Sequence, residues 1–271
     1  MSISVKILKK SSNPTDSDSI ITSFQLRYPR FIHAEFMTHR VFSRNASSSR
    51  AVPVNKIIKE VLDDPAMPVS WGKNQKGMQA SEDLSQEEAR RVQNMWLKAA
   101  QDAVFHARQM EAAGAHKQII NRILEPFSHI SVIVTATEWD NFFALRCHPA
   151  ADPTMKALAD AMFAEYAHTK ATPRTHHLPY TDDALLEDTL TPYGLHNLMV
   201  QDAAMCARVS YLTHDGQTPS RESNMTLGKM LLDMEHMSPF EHQASASAPD
   251  SSLRHLWGNF TGWNQFRKEI E

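Results

Sequence analysis

The sequence predicts an α/β (α+β) fold in which short strands are combined with long helices. Residues 4–8, 20–27 and 129–137 are rich in β-branched and alternating apolar residues, which is typical of strands. Residues 85–113 carry apolar side chains at the spacing of one long amphipathic helix. With 271 residues, 42% of them hydrophobic, the chain is large enough for one sizeable domain or two small ones.

The first predicted helix leads into a polar segment. Residues 11–19 form a predicted polar loop between the first two strands, and Pro29 is suited to the start of a helix. The apolar spacing that follows predicts a helix over residues 30–40. We expect this helix to present His39 and Arg40 at its C-terminal end.

The segment from His39 to Arg50 is rich in hydrogen-bond donors. It contains three arginines, one histidine, one asparagine and four serines, and no acidic residue. A guanidinium group is a planar fork that matches phosphate or carboxylate. Pro53 and the apolar residues after it predict a helix whose N-terminus would favour the same negative charge. The segment is therefore either an anion-binding site or a solvated polar loop.

Further helices are predicted by apolar periodicity and capping residues. Ser85 and Glu88 form a predicted capping box, and the apolar stripe of that long helix would lie in the core or in a subunit interface. Residues from Trp71 to Gln79 form either a surface loop anchored by Trp71 or a loop beside the substrate. Shorter helices are predicted at residues 116–124, 153–169, 195–211 and 226–235.

Charge and cysteine content argue against several classes of protein. A net charge of −3 provides no general attraction for nucleic acid. Cys147 and Cys206 have no metal-site spacing and suggest no disulfide framework, as expected in a reducing cytoplasm. The adjacent His176 and His177 lack a second ligand pair, so we expect no metal site. No apolar run has the length of a membrane span, so we expect a soluble, cytoplasmic protein.

The pattern His-Arg-x-x-Ser-x-Asn-x-x-Ser-x-Arg at residues 39–50 resembles the signature of the flavin-dependent thymidylate synthases. This resemblance implies that His39 and Arg40 contact the flavin. It implies that Ser48 and Arg50 contact the substrate dUMP. The resemblance also directs Glu35, on the preceding helix, toward the site.

Two positions depart from the family signature. Thr38 stands where the family has an arginine, and Ala46 stands where it usually has a glutamate. These two departures leave the fold implied by the resemblance unchanged. They leave open which pyrimidine base is the substrate and which product is formed.

Residues 116–146 resemble a second segment of the same family. The resemblance makes Arg122 a nucleotide contact, Asn141 a flavin contact and Arg146 a substrate contact. Positions five apart on a helix do not share a face, so Asn141 and Arg146 are expected to meet different ligands. Thr135 and Thr137 stand where the family has an asparagine and an arginine, unless those two family residues are lost here to a short deletion.

A third resemblance lies near the C-terminus. Residues 207–211 resemble an Ala-Arg-x-x-Tyr segment of the family, and residues 236–242 resemble its His-x-Ser/Thr-x-x-Glu-His segment. Both precede the signature in the family, so the order here looks circularly permuted. By this match His236, Ser238 and Glu241 are expected flavin-site residues.

Together these resemblances imply one domain over residues 1–271, with an antiparallel or mixed sheet flanked by long helices. They imply a homotetramer with sites at subunit interfaces. The implied reaction converts dUMP to dTMP, with carbon from methylenetetrahydrofolate and hydride from NADPH through FAD. Arg146 and Ser48 are the expected catalytic residues, with Arg146 stabilising negative charge on the pyrimidine ring.

Two alternatives remain open at this stage. A related flavoprotein could methylate or hydroxymethylate another pyrimidine nucleotide, giving a hydroxymethyl-dUMP product or acting on dCMP. The other alternative is a protein of a different class, one that binds single-stranded nucleic acid. It would use Arg40, Arg44 and Arg50, with Trp71 and Trp263 as stacking platforms. The negative net charge argues against a stable nucleic-acid partner.

Overall fold

A computed structural model describes residues 3–187, 191–209, 219–248 and 252–271. Its described strands form two sheets, with the strand orders β3-β4-β2-β1-β5 and β6-β7-β8. All described strand pairs are antiparallel except the parallel pair β1–β5, so the predicted mixed α/β fold is confirmed. The strands are β1 Ser4–Asn13, β2 Asp16–Pro29, β3 Ser43–Ala46, β4 His129–Ala136, β5 Thr172–Pro173, β6 His176–His177, β7 Ala244–Ala246 and β8 Trp263–Gln265. The helices are α1 His33–Phe36, α2 Val54–Asp63, α3 Gln86–Ala112, α4 Lys117–Leu124, α5 Asp140–Arg146, α6 Pro153–His168, α7 Asp183–Glu187, α8 Pro192–Arg208, α9 Arg221–Asp233 and α10 Phe266–Ile270.

The larger sheet is buried on both faces. On one face, alternate residues of β2 and β4 pack against α5 and α6 around the aromatic rings of Phe24, Trp139 and Phe142. On the other face, Ile21 and Ile133 pack against residues from the C-terminal third of the chain. Strand side chains alternate between the two faces of a sheet, so some polar residues also lie on this second, buried face. Their hydrogen-bond partners must therefore lie inside the protein.

The predicted polar loop at residues 11–19 is wrong, because β1 and β2 continue through it as a hairpin. Asn13 is buried, and its side-chain oxygen accepts the backbone N–H of Thr15 at 2.9 Å. Its amide nitrogen donates to the carbonyls of Ser247 and Gly262 at 2.7 and 2.8 Å. Polar residues extend the strands here because distant parts of the chain satisfy their hydrogen bonds.

The predicted helix over residues 30–40 is shorter than expected. A 3₁₀ turn at Arg30–Ile32 is followed by α1, which ends at Phe36. The Arg44 guanidinium donates to the carbonyls of Met37 and His39 at 3.0 Å each. Those carbonyls are therefore satisfied from outside the helix, and His39 lies in the turn after it.

The long helix α3 begins as predicted, with Ser85 as its N-cap and the capping box to Glu88 formed. The buried residues on its inner face are Ala100, Val104 and Ala107. Met95 and Phe105 belong to the predicted apolar stripe, yet their side chains are exposed. These two side chains therefore lie outside the core of the single chain, and the alternative expectation of a subunit interface stays a prediction.

The loop from Trp71 to Gln79 is held at its base. Trp71 accepts the backbone N–H of Leu84 through its carbonyl, and its ring meets the Trp96 ring edge-on, with 6.0 Å between centroids. Gln75 bonds within the loop, to Gln79 and Ser81. This arrangement is that of a surface loop anchored by Trp71.

Helices α8 and α9 approach closely at one glycine. A Cβ atom added at Gly228 would lie 2.5 Å from both the carbonyl oxygen and Cγ1 of Val200. Helix α8 of this pair also packs against the 3₁₀ turn Ser238–Glu241. The predicted helix 195–211 corresponds to α8, and residues 210 and 211 lie outside the described ranges.

Candidate active site

A cleft of about 690 Å³ joins the His39–Arg50 segment to residues near the C-terminus. Ser48 and Arg50 line one side of it, and His236 and Ser238 line another. Asn45, at the end of β3, lies between them. The structure thus brings two predicted nucleotide contacts and two predicted flavin contacts to one cavity.

Backbone contacts hold the loop that carries Ser48 and Arg50. The buried side chain of Asn121 on α4 donates to the carbonyls of Ser49 and Val52 at 2.7 and 3.0 Å. The Ser49 hydroxyl donates to Glu125 at 2.6 Å. Arg50 is exposed, and its guanidinium has no hydrogen-bond or ion-pair partner among the described residues. Arg50 is therefore a donor available to an anion in the cleft.

Arg122 does not line this cleft. Its guanidinium lies 3.1 Å from Glu125, which also lies 3.6 Å from Arg30. Since Glu125 neutralises charge on both arginines, Arg122 is a weaker anion ligand in this arrangement than Arg50.

A second group of predicted site residues meets at the ends of α1 and α5. Arg146 donates through Nε to His39 Nε2 at 2.9 Å and through a terminal nitrogen to the Thr38 hydroxyl at 3.2 Å. The Glu35 carboxylate lies 3.5 Å from the same guanidinium. Burial, with Arg146 and Arg44 nearby, lowers the pKa of His39 to about 4. Because Arg146 only donates, the neutral ring must accept through Nε2, and this fixes its tautomer.

The remaining expected flavin contacts are placed apart from the cleft. Arg40 and Asn141 are exposed and do not line it. Glu241 forms an ion pair with Arg267 of α10. Its carboxylate is therefore already engaged within the chain.

The segment after α8 and α9 also contributes a buried histidine. His242 follows the 3₁₀ turn and lies 3.2 Å through Nε2 from the Asn45 amide and 2.9 Å through Nδ1 from the Thr135 hydroxyl. Burial lowers the pKa of His242 to about 3, so it is neutral at physiological pH. Sequence reasoning did not assign His242, Asn45 or Thr135 to the site, although all three lie in segments that it singled out.

The C-terminal tail docks on the His39–Arg50 segment. Asn259 donates to the Val41 carbonyl at 2.8 Å, and Gln265 donates to Asn259 at 2.6 Å and to Ser43 at 3.3 Å. These contacts dock the tail on the segment as a terminal element of the fold. Trp263 is fully buried, so it offers no stacking platform for a base.

Neither cysteine has the surroundings of an activated nucleophile. Burial raises the pKa of the Cys206 thiol, and the neighbouring Asp202 carboxylate adds to the shift. Burial likewise raises the pKa of Cys147, with Asp160 nearby. No metal-binding cluster of histidine, cysteine and acidic residues occurs within the described parts of the chain. Among the same residues, no helix is both long and apolar enough to cross a bilayer.

A second cavity of about 480 Å³ shares Ser48 with the cleft. Its cationic side chains include Arg27, which lies 3.0 Å from Glu60 and 3.1 Å from Asp64. Since these two acids offset the charge of Arg27, Arg27 is a weaker anion ligand than Arg50.

Comparison with known proteins identifies the family of this arrangement. The family model described as "Thymidylate synthase complementing protein" matches residues 14–171. This range includes the His39–Arg50 segment and Arg146, whereas residues 236–242 lie outside it. The equivalence of that last segment therefore stays a prediction. No curated protein sequence matches the chain.

Solved structures share the fold. A UMP/dUMP methylase, PolB from Streptomyces cacaoi, in a crystal with 5-Br UMP, is 16% identical, with a TM-score of 0.51, covering 61% of this chain and 89% of that one. The same methylase with 5-Br dUMP is 14% identical, with a TM-score of 0.48, covering 61% and 90%. At these identities the first likeness shows the fold of the chain.

Proposed function

Because the chain belongs to the thymidylate synthase complementing protein family, we propose that it is a flavin-dependent enzyme that methylates a pyrimidine nucleotide at C5, with dUMP as its substrate. Family membership supports the reaction class. The observation that carries the proposal within the structure is the cleft, in which Ser48 and Arg50 lie opposite His236 and Ser238. Arg50 has no partner among the described residues. A volume of about 690 Å³ lies within the range of small-molecule sites, roughly 300–1,000 Å³.

The predicted site residues fall into two separate groups within one chain, which supports active sites that are completed by a second copy of the chain. The cleft holds Ser48, Arg50, His236 and Ser238, whereas Arg146 with its neighbours lies outside it. We therefore retain the homotetramer with shared sites as part of the proposal. It is tested by the molecular mass in solution. It is also tested by mixing Arg50→Ala and Arg146→Ala chains at a dUMP concentration too low for either variant alone, which should restore activity if one site draws residues from two copies.

The proposed roles follow from the donors that the residues present. Arg50 and the Ser48 hydroxyl would bind the nucleotide phosphate. Arg146 would donate to a pyrimidine carbonyl and stabilise the negative charge that develops as C5 becomes nucleophilic. FAD, when bound, would supply the hydride that reduces the transferred carbon, with NADPH as reductant and methylenetetrahydrofolate as carbon source. No enzyme thiolate is needed, in keeping with the raised pKa values of Cys147 and Cys206.

Product analysis tests this function. The purified protein is incubated with FAD, NADPH, methylenetetrahydrofolate and one nucleotide at a time, and the products are analysed by mass spectrometry. The expected product from dUMP is dTMP. UMP and dCMP belong in the assay because the structural neighbour is described as a UMP/dUMP methylase and because Thr38 and Ala46 depart from the family signature. A hydroxymethyl product, or turnover of dCMP alone, would show that the enzyme has the related activity and does not methylate dUMP. Absence of FAD binding would overturn the proposal.

Arg50→Ala should weaken dUMP binding while leaving FAD binding nearly intact. Losing a charge-assisted contact to phosphate costs roughly 1.5–3 kcal/mol, which is about ten- to a hundredfold in affinity. Isothermal titration with each ligand measures the two effects separately. Arg91→Ala, which removes an exposed arginine from α3, is the matched control and should bind dUMP as the wild type does. Equal dUMP affinity in both variants would place the phosphate elsewhere.

A further inference from the structure

A continuous chain of buried side chains runs from the cleft through the sheet to its far edge. It begins at the Asn45 amide and passes to His242 at 3.2 Å and on to Thr135 at 2.9 Å. Thr135 and Ser23, which are paired across β4 and β2, lie 2.5 Å apart through their hydroxyls. From Ser23 the chain continues to His177 at 2.8 Å.

The far end of the chain lies beside an arginine. His177 Nδ1 lies 2.9 Å from the Ser11 hydroxyl, and the Arg174 guanidinium donates to that hydroxyl at 3.4 Å. Arginine can only donate, so it leaves the Ser11 proton free to point at His177. From this end, every group would donate toward the cleft, and His242 would carry its proton on Nε2.

The cleft end favours the opposite direction. One side of the Asn45 amide faces three acceptors: the Ser238 carbonyl at 3.0 Å, the Arg44 carbonyl at 3.1 Å and His242 Nε2 at 3.2 Å. The amide nitrogen suits this side because it donates, whereas the amide oxygen would face two carbonyl oxygens. With the nitrogen here, His242 accepts at Nε2 and carries its proton on Nδ1. Every group then donates away from the cleft.

The two ends therefore compete through one row of neutral hydrogen bonds. Burial lowers the pKa of both histidines, and Lys9 and Arg174 further disfavour a charge on His177. Neither ring takes up a proton at neutral pH, so the row reverses only by exchanging tautomers. Reversal keeps both the Arg174 contact and the Ser11–His177 contact, because a hydroxyl oxygen can accept two hydrogen bonds. The two carbonyls near 3.0 Å from the Asn45 amide therefore decide the direction.

We propose that Asn45 is a positioning residue for the nucleotide, and that the row His242–Thr135–Ser23–His177 holds its amide with the nitrogen turned to the protein and the oxygen turned to the cleft. The oxygen side then lies 3.5 Å from the Ser238 hydroxyl, which lines the same cleft. It offers an acceptor to an N–H group of a pyrimidine base, next to Ala46, where the family usually has an acidic side chain. This role in substrate binding rests on the proposed function, whereas the tautomer of His242 does not.

Thr135→Val and Thr22→Val form a matched pair of tests. Both threonines are fully buried at neighbouring positions of the same strand pair, since Ser23 pairs with Thr135 and Thr22 with Ala136. Thr135 links two members of the row, whereas the Thr22 hydroxyl has no hydrogen-bond partner among the described residues. Valine keeps the shape of threonine and replaces the hydroxyl with a methyl group.

The first readout is ¹⁵N NMR of the histidine rings in the nucleotide-free protein, with the His242 signals assigned by their loss in His242→Gln. We expect the Nδ1–H tautomer of His242 in the wild type and in Thr22→Val, and a shift toward Nε2–H in Thr135→Val, where Nδ1–H has lost its acceptor. An Nε2–H tautomer in the wild type, or the same tautomer in all three proteins, overturns the proposal even if the enzyme has another substrate.

The second readout is dUMP affinity by isothermal titration. Thr135→Val should bind dUMP about tenfold more weakly than the wild type, the order expected for one lost hydrogen bond, and Thr22→Val should bind it equally well. Equal affinity in both variants would overturn the positioning role. If the wild type itself binds no pyrimidine nucleotide, the proposed function fails, and the NMR result still decides whether the row orders the tautomers.

Discussion

The free energy of unfolding should fall steeply as the pH is lowered from about 6.5 to about 4.5, because buried histidines resist protonation in the folded protein. His177 and His242 are fully buried, and burial holds the pKa of His242 at about 3 and that of His177 well below its usual 6.5. In the unfolded chain both rings take up a proton near pH 6.5. The unfolded state therefore binds more protons throughout this range and is favoured by acid.

The size of this effect follows from the number of protons. A histidine that is protonated only in the unfolded state costs roughly 1.4 kcal/mol per pH unit, so His242 alone removes about 3 kcal/mol by pH 4.5, and His177 adds to this loss in the same direction. This is a substantial part of the total stability of many domains, about 5–15 kcal/mol. Asp202 acts in the opposite sense, because burial raises the pKa of its carboxyl group and protonation then relieves a buried charge.

Urea denaturation at several pH values between 7 and 4.5 measures the effect as a change in midpoint. His242→Gln keeps a neutral polar side chain and removes one titrating ring, so its midpoint should depend less on pH than that of the wild type. A wild-type stability that does not change over this range would contradict the neutral buried histidines.

Replacing Gly228 by valine should destabilise the protein by about 3 kcal/mol or more, through overpacking between α8 and α9. The new Cβ would lie 2.5 Å from the Val200 carbonyl oxygen, a backbone atom that can move only with its helix. Helix propensity favours replacement of a helical glycine by up to about 1 kcal/mol, which is too little to offset the clash. Ala207 of α8 and Leu231 of α9 line the cleft, so the displaced helices should also weaken dUMP binding.

Lys229→Ala is the matched control for this variant. Lys229 is the exposed neighbour of Gly228 on the same helix, and its replacement should change the stability by no more than about 0.5 kcal/mol. Both variants are compared by thermal and urea denaturation. A Gly228→Val protein as stable as Lys229→Ala would show that the two helices can separate without cost.

The sequence predicted best those features that depend on neighbouring residues. The strands β2 and β4, the helix α6 and the capping box at Ser85 are confirmed, because periodicity and capping residues act locally. The family prediction is likewise confirmed, since it rests on short runs of residues. The places of Arg50 and Arg146 in the chemistry remain predictions.

Distant contacts explain what the sequence could not show. Residues 11–13 were expected to form a loop because they are polar, yet Ser11 bonds to His177 and Asn13 to Ser247 and Gly262. The row through Thr135 and His242 was missed for the same reason, since these two residues are 107 positions apart in sequence and neither is unusual by itself. Periodicity carries no information about such pairs.

The docking of the C-terminal tail has a consequence for synthesis of the protein. Asn259 and Gln265 hold Ser43 from 216 and 222 residues away, and Gly262 accepts from Asn13 across 249 residues. A ribosome releases the His39–Arg50 segment long before these partners exist. Until residue 265 has emerged, β3 lacks its last supports, and sheet edges left open in this way invite chaperone binding. Contacts across such separations also slow folding, so assembly of the cleft should be among the last events after translation.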